Sequence, residues 1–170
     1  STSLDGTRTG ITSWVLQSSG YNDPGAQPAQ VYYYWVKAAT TSAGANESAF
    51  SGPASGFRTL PAPSGVQAAD GTRLDAIDVQ WNPVAGASCY RVHRTSTPGG
   101  NYLALGSWQT ATQYADPEGE PGHTYYYRVT AATSLAGQLE SAPSGADGGF
   151  KKMPPPSPVN ASHGTYTDRI

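Results

Sequence analysis

Apolar and polar residues alternate along this chain in short runs, and glycine and proline break the runs. In residues 75–81, DAIDVQW, Ile77, Val79 and Trp81 fall on one face while Asp78 and Gln80 fall on the other. A period of two marks a half-buried strand. Residues 88–94, SCYRVHR, repeat the pattern with Tyr90 and Val92 inward and Arg91 and His93 outward. In residues 124–132, TYYYRVTAA, the same period puts Tyr125, Tyr127, Val129 and Ala131 on one face and Tyr126, Arg128 and Thr130 on the other. Shorter strands are predicted over 65–70, 102–108 (one strand or two) and 112–116. A last one is predicted within 139–150, weakened by its glycines. Turn chemistry separates them: DGT at 70–72, NPVAGA at 82–87, STPGG at 96–100 and PEGEPGH at 117–123. Seven short strands with turns this frequent predict an all-β antiparallel sandwich.

The pattern also repeats. VYYYWVKAAT at 31–40 returns as TYYYRVTAAT at 124–133, with Tyr32 and Tyr125 93 residues apart. The same offset relates Tyr21 to Tyr114, Pro28 to Pro121, Glu47 to Glu140 and Phe57 to Phe150. Residues 156–170 match 63–77 in the same way, and only the stretch around Trp14 and Trp108 needs a one-residue shift. The chain therefore divides into a C-terminal half-repeat (1–60), a complete repeat (61–153) and the opening strand of a third (154–170). Proline-rich joints, LPAPS at 60–64 and MPPPS at 153–157, mark the boundaries. Residues 1–60 carry only the later strands of a sandwich, so the chain is expected to be an excerpt of a longer array. Completion by another chain, through strand or edge contacts, is the alternative.

Composition sharpens this picture. Charged residues make up 13% of the chain against a usual value of about 25%, and the chain has 20 glycines and 14 prolines. The strong helix formers are the residues in short supply, which suits strands and turns. The net charge of −2 and the lack of any basic run exclude nucleic acid as an expected partner. No apolar stretch approaches the ~20 residues of a membrane-spanning helix. A single cysteine, Cys89, excludes an intrachain disulfide. The Ser, Thr, Gly, Asn and Tyr content leans toward an extracellular or cell-surface setting.

A unit of this size, with a proline-led first strand, an inward Trp81 on the second, YRVHR on the third and PGHTYYYRVTAA on the sixth, resembles a fibronectin type III domain. The resemblance is to the form common in repeated arrays of exported bacterial proteins, and it covers the complete repeat and both partial ones. It implies an immunoglobulin-like, seven-stranded sandwich. It implies a tyrosine corner at Tyr125 and Tyr32, whose hydroxyls bond to upstream backbone. It places Trp81, Tyr90, Val92, Tyr125, Tyr127 and Val129 in one core, with Tyr32, Tyr34 and Val36 in equivalent places of the first copy.

Catalytic and metal-binding patterns are weak. His93, His123 and His163 are scattered without ligand-spaced partners, so no metal site or cofactor is expected. Asp75 and Asp78 flank a strand, and Asp116, Glu118 and Glu120 read as turn and edge residues rather than a general acid–base pair. Cys89 has no His–Asx frame and reads as an inert thiol. The DGT turns at 5–7 and 70–72 become HGT at 163–165, which argues for a glycine-bearing turn over a calcium loop. Sequons occur at Asn46 and Asn160. An enzyme in its own right is not expected.

What remains is a surface. If the third and sixth strands pair, Arg91, His93, Tyr126 and Arg128 share an outward face, matched in the first copy by Tyr33, Trp35 and Lys37. Two readings stay open: rings and cations that partner one another across strands, or a contact patch for glycans or proteins. The leading expectation is a non-catalytic tandem module of a large exported protein, acting as spacer or building block of a filament, sheath or adhesin stalk. Neighbouring repeats would be its partners. The alternative is an accessory glycan-contacting module of a secreted polysaccharide-degrading enzyme.

Overall fold

The computed structural model describes residues 1–15 and 20–160, so His163 and most of the third segment lie outside the described residues. The regular structure is entirely β. β1 (Tyr32–Tyr34) pairs antiparallel with β2 (Ala54–Gly56). Then follow β3 (Gln67–Ala68), β4 (Ile77–Gln80), β5 (Cys89–Thr95), β6 (Leu103–Gln109), β7 (Gln113–Asp116), β8 (Tyr125–Ala132) and β9 (Asp147–Gly149). They form two antiparallel sheets, one in the order β3-β4-β7 and the other in the order β6-β5-β8-β9.

The two sheets enclose one core. Ile77 and Val79 from β4, with Trp81 just beyond it, meet Tyr90, Val92, Tyr127, Val129 and Ala131 from β5 and β8, and all are buried. Each of the branched aliphatic side chains among them contributes roughly 1.5–3 kcal/mol by leaving water. The Trp81 and Tyr90 rings meet edge to face, 5.6 Å apart. The Tyr90 hydroxyl accepts the Val84 N–H at 2.8 Å and so pins the turn after β4. Tyr125 lies at the sandwich end, half-buried against this core.

Two local features follow from glycine. β6 is one strand, and its pairing with β5 slips between Tyr90 and Val92. Gly106 sits in that bulge with a φ of 59°, a conformation that favours glycine. The glycines of β9 have a spatial reason. A Cβ at Gly149 would stand 2.7 Å from the Ala68 Cβ on β3, so the sheets can close there only over a residue without a side chain.

The hydrogen bonds of the first segment recur in the complete unit. β1 pairs Tyr32 with Gly56, and β8 pairs Tyr125 with Gly149. Ser48 N–H donates to the Ala38 carbonyl at 2.8 Å, as Ser141 does to Ala131. The Ser51 hydroxyl accepts the Val36 N–H at 3.1 Å, and Ser144 accepts that of Val129 at 2.9 Å. Before the one-residue shift the offset is 94. Gly6 N–H donates to Ser3 as Gly100 does to Thr97, and Trp14 lies against Gly44 as Trp108 lies against Gly137.

Burial does not recur, and this corrects part of the expected core. Val36, the counterpart of Val129, is 70% exposed, and Tyr32 and Tyr34 are only half-buried. β1 pairs with β2 alone; no described strand flanks its other edge as β5 flanks β8, and none covers its face as β4 covers that of β8. The residue types are right for an interior, but the covering sheet is absent among the described residues.

One contact joins the first segment to the complete unit. Leu60, 4% exposed, and the half-buried Ala29 pack with Val84 and Ala87 into the unit's core cluster. Gly86 lies so close that a Cβ there would meet the Pro28 carbonyl oxygen at 2.7 Å and the Leu60 side chain at 3.2 Å.

Candidate functional site

The outward face of the β6-β5-β8-β9 sheet carries the sequence-predicted contact residues. β5 and β8 pair His93 with Arg128, Arg91 with Thr130 and Thr95 with Tyr126, so Arg91, His93, Tyr126 and Arg128 do share this face. All four are half-buried rather than exposed. The Arg128 guanidinium lies over the Tyr102 ring at 4.4 Å. The Tyr126 ring lies over Gly148, where a Cβ would approach it to 3.2 Å. His93 Nε2 is 3.2 Å from the Thr130 hydroxyl. Burial pulls the imidazole below its ordinary value, with Arg91 reinforcing and Glu140 opposing. His93, Tyr102, Arg128, Thr130 and Pro143 line a cavity of about 170 Å³. That is below the ~300–1,000 Å³ of small-molecule sites.

In the first segment Trp35 was expected to be exposed, and it is not. The Arg8 guanidinium covers its ring at 4.6 Å and reaches Phe50 at 5.0 Å. Lys37 stands 4.5 Å from Phe50 and bonds Glu47 at 2.7 Å. Tyr33 is half-buried, its backbone tied to Ser1 by two bonds. Under the 94-residue offset Arg8 corresponds to Tyr102, and under the 93-residue offset Trp35 corresponds to Arg128. The cation and the ring have therefore exchanged places between the copies, and in the second copy the Arg128 Nε and the Tyr102 hydroxyl are buried without a hydrogen-bond partner among the described residues. Arg8 and Tyr102 were not foreseen. Only aligning across the one-residue shift brings them opposite Trp35 and Arg128.

A second constellation sits at the sandwich end. Asp116, read from sequence as a turn residue, is fully buried. It accepts the Tyr127 hydroxyl at 2.8 Å, the Arg94 guanidinium at 2.7 Å and the Glu118 N–H at 3.0 Å. Arg94 also lies over the Tyr125 ring at 4.7 Å. Burial, then the bond to Asp116, pushes the Tyr127 hydroxyl well above the ordinary tyrosine range. Asp23 repeats the arrangement, accepting Tyr34 at 3.1 Å and the Gly25 N–H at 3.0 Å. The signal in the sequence was the Asp–Pro pair recurring with its tyrosine at the same offset. The corner tyrosines repeat too: Glu120 N–H donates to the Tyr125 hydroxyl at 3.3 Å and Gln27 N–H to that of Tyr32 at 3.2 Å.

The other candidates are accounted for locally. Arg73 bonds Asp75 at 2.6 Å and Asp78 at 2.9 Å, so one guanidinium occupies both carboxylates on an open surface. The Cys89 thiol is buried, donates to the Ser134 carbonyl at 2.9 Å and is pushed up by that burial. Among the described residues no three His, Cys, Asp or Glu side chains converge as a metal set. No helix there is long and apolar enough to cross a membrane.

Known proteins resemble this geometry in fold more than in site. A solved Fn3-like protein from Clostridium thermocellum superposes with a TM-score of 0.50 at 26% identity, covering 57% of this chain and 98% of that one. The chain has a fibronectin type III fold, all-β and antiparallel. A poly(3-hydroxybutyrate) depolymerase from Ralstonia pickettii is 40% identical over 85 residues, 50% of this chain and 15% of that protein. An amylopullulanase from Thermoanaerobacterium saccharolyticum is 32% identical over 78 residues, 46% of this chain and 6% of that protein. The chain thus spans a small fraction of either relative's length. No family model matches it.

Proposed function

We propose that this chain is a stretch of tandem fibronectin type III modules in a large secreted or cell-surface protein, and that its work is non-catalytic spacing. The observation that carries this reading is the recurrence of one set of backbone and side-chain bonds at a fixed offset. The surface supports it as well. Rings and cations of the outward face stack on one another, and the cavity beside Tyr102 and Arg128, about 170 Å³, is too small for a substrate. Such modules separate other parts of a protein and build stalks, sheaths or filaments, each touching mainly its neighbours. Electron microscopy of the parent protein tests this. Regularly beaded stalks are expected, and a single compact body without beads removes the reading.

A second reading is favoured by the two relatives, both named for polymer-degrading activities. Here the module would lie beside a catalytic domain and touch its insoluble polymer through Tyr33, Trp35 and Tyr126. Pull-down on polysaccharide and on poly(3-hydroxybutyrate) granules, comparing the native chain with Trp35→Ala, separates the two. Equal retention of both removes polymer contact by this face.

A further inference from the structure

The complete unit carries, at its far end, a second copy of the seat that holds it to the first segment, and no described residue covers it. The occupied seat consists of Pro28, Ala29 and Leu60. Pro28 bridges Arg58 in parallel, and Ala29 N–H donates to the Arg58 carbonyl at 2.8 Å. Its counterpart 93 residues on consists of Pro121, Gly122 and Met153. Pro121 bridges Lys151 in parallel, and Gly122 N–H donates to the Lys151 carbonyl at 3.0 Å. Ala29 has a φ of 60° and Gly122 a φ of 73°, so the two turns share one backbone. Met153 lies against Gly122, with its Cγ and Sδ 3.0 Å from where a Cβ would stand.

The two seats differ in exposure. Leu60 is 4% exposed beneath Gly86, whereas Met153 is 67% exposed. Pro28 and Ala29 are half-buried, whereas Pro121 and Gly122 are exposed. The filled seat shows what fits: the turn after the second strand, Val84 to Ala87, in which Gly86 meets the Pro28 carbonyl without a side chain between. A flexible thioether is suited to fill whatever gap such a turn leaves.

We propose that the Pro121–Gly122–Met153 face is the docking seat for the corresponding turn of a following unit of the same kind. Successive units would then be locked by a seated turn as well as tethered by the proline joint. This rests on the tandem reading above and adds to it the surface, the partner and the relative placement.

Residues 154–170 already match 61–77, so extending the chain after Ile170 with its own residues 78–153 supplies the partner. The readout is conversion of Met153 to the sulfoxide by hydrogen peroxide, followed by mass spectrometry. Docking should slow it by about tenfold relative to the 170-residue chain, because reaction requires access to the sulfur. Valine in place of the glycine corresponding to Gly86 in the added copy should restore the fast rate. An unchanged rate, with near-UV circular dichroism showing the added unit folded, overturns the seat and leaves the tandem reading standing. The 170-residue chain gives an independent arm. Leu60→Ser should accelerate amide exchange across residues 84–88 by about tenfold, and unchanged exchange there overturns the proposal even if the extended chain does not fold.

Discussion

The most informative residue is Asp116. A fully buried carboxylate is costly unless its charge and lone pairs are met, and here a hydroxyl, a guanidinium and a backbone N–H meet them. Tyr127→Phe should therefore cost about 1.5–3 kcal/mol in denaturant unfolding. It should also change the response to alkali. The folded protein holds the Tyr127 proton more tightly than the unfolded chain does. Its contribution is complete below the unfolded tyrosine value of about 10 and is lost as the pH rises beyond it. Melting temperature should fall less steeply above about pH 10 in Tyr127→Phe than in the native chain, and equal slopes would exclude this tyrosine as the cause. None of this was readable from Asp116 alone. An aspartate before a proline looks like a turn residue. Its burial shows only once Arg94 and Tyr127 are brought over it by two strands distant in sequence.

At the scale of elements the sequence was more open. Strict alternation in 75–81, 88–94 and 124–132 marked which side chains face inward, because a period of two admits one choice of face. Alternation says nothing of what lies above a face, which is why Val36 was placed with Val129 and is instead exposed. It is equally silent about partners beyond the strand, so the exchanged pairs Arg8–Trp35 and Tyr102–Arg128 emerged only from the structure. The exchange can be tested in a double-mutant cycle. Tyr102→Arg alone places two cations together, and Arg128→Trp alone leaves two rings. The double variant should recover about 0.5–1 kcal/mol of coupling, and additive effects would show that the pair does not interact. The loop after β8 is sensitive for another reason. Gly137 has a φ of 75° and lies where a Cβ would meet the Trp108 indole nitrogen at 2.8 Å. Gly137→Ala should lower stability by about 1–3 kcal/mol in thermal melts, because neither the backbone nor the ring can give way freely.

At the scale of the molecule, the repeat was the strongest signal in the sequence, while the fold was legible in the strand alternation within one copy. Function was less legible, since a fold of this kind hosts many roles, and the larger hollow among the described residues, about 1000 Å³ over β3, β4 and β7, holds Asp78 already paired with Arg73. The described structure adds what composition could not: rings and cations of the aromatic face stack on one another, and one segment is seated on the next.

The placement of β3 beside β9 has a mechanical outcome. The first and last strands of the unit run alongside each other in parallel, joined where Gly71 N–H donates to Phe150 at 2.8 Å, Phe150 N–H to Ala69 at 3.1 Å and Ala68 N–H to the Asp147 carboxylate at 2.8 Å. Tension transmitted along the polypeptide pulls these two strands in opposite directions along their length. The bonds are loaded in shear and must yield together rather than one at a time. Single-molecule extension should find Asp147→Ala rupturing at lower force than the native chain, with little change in fold by circular dichroism. A unit wired in this way resists being stretched along the very axis on which its neighbours would pull.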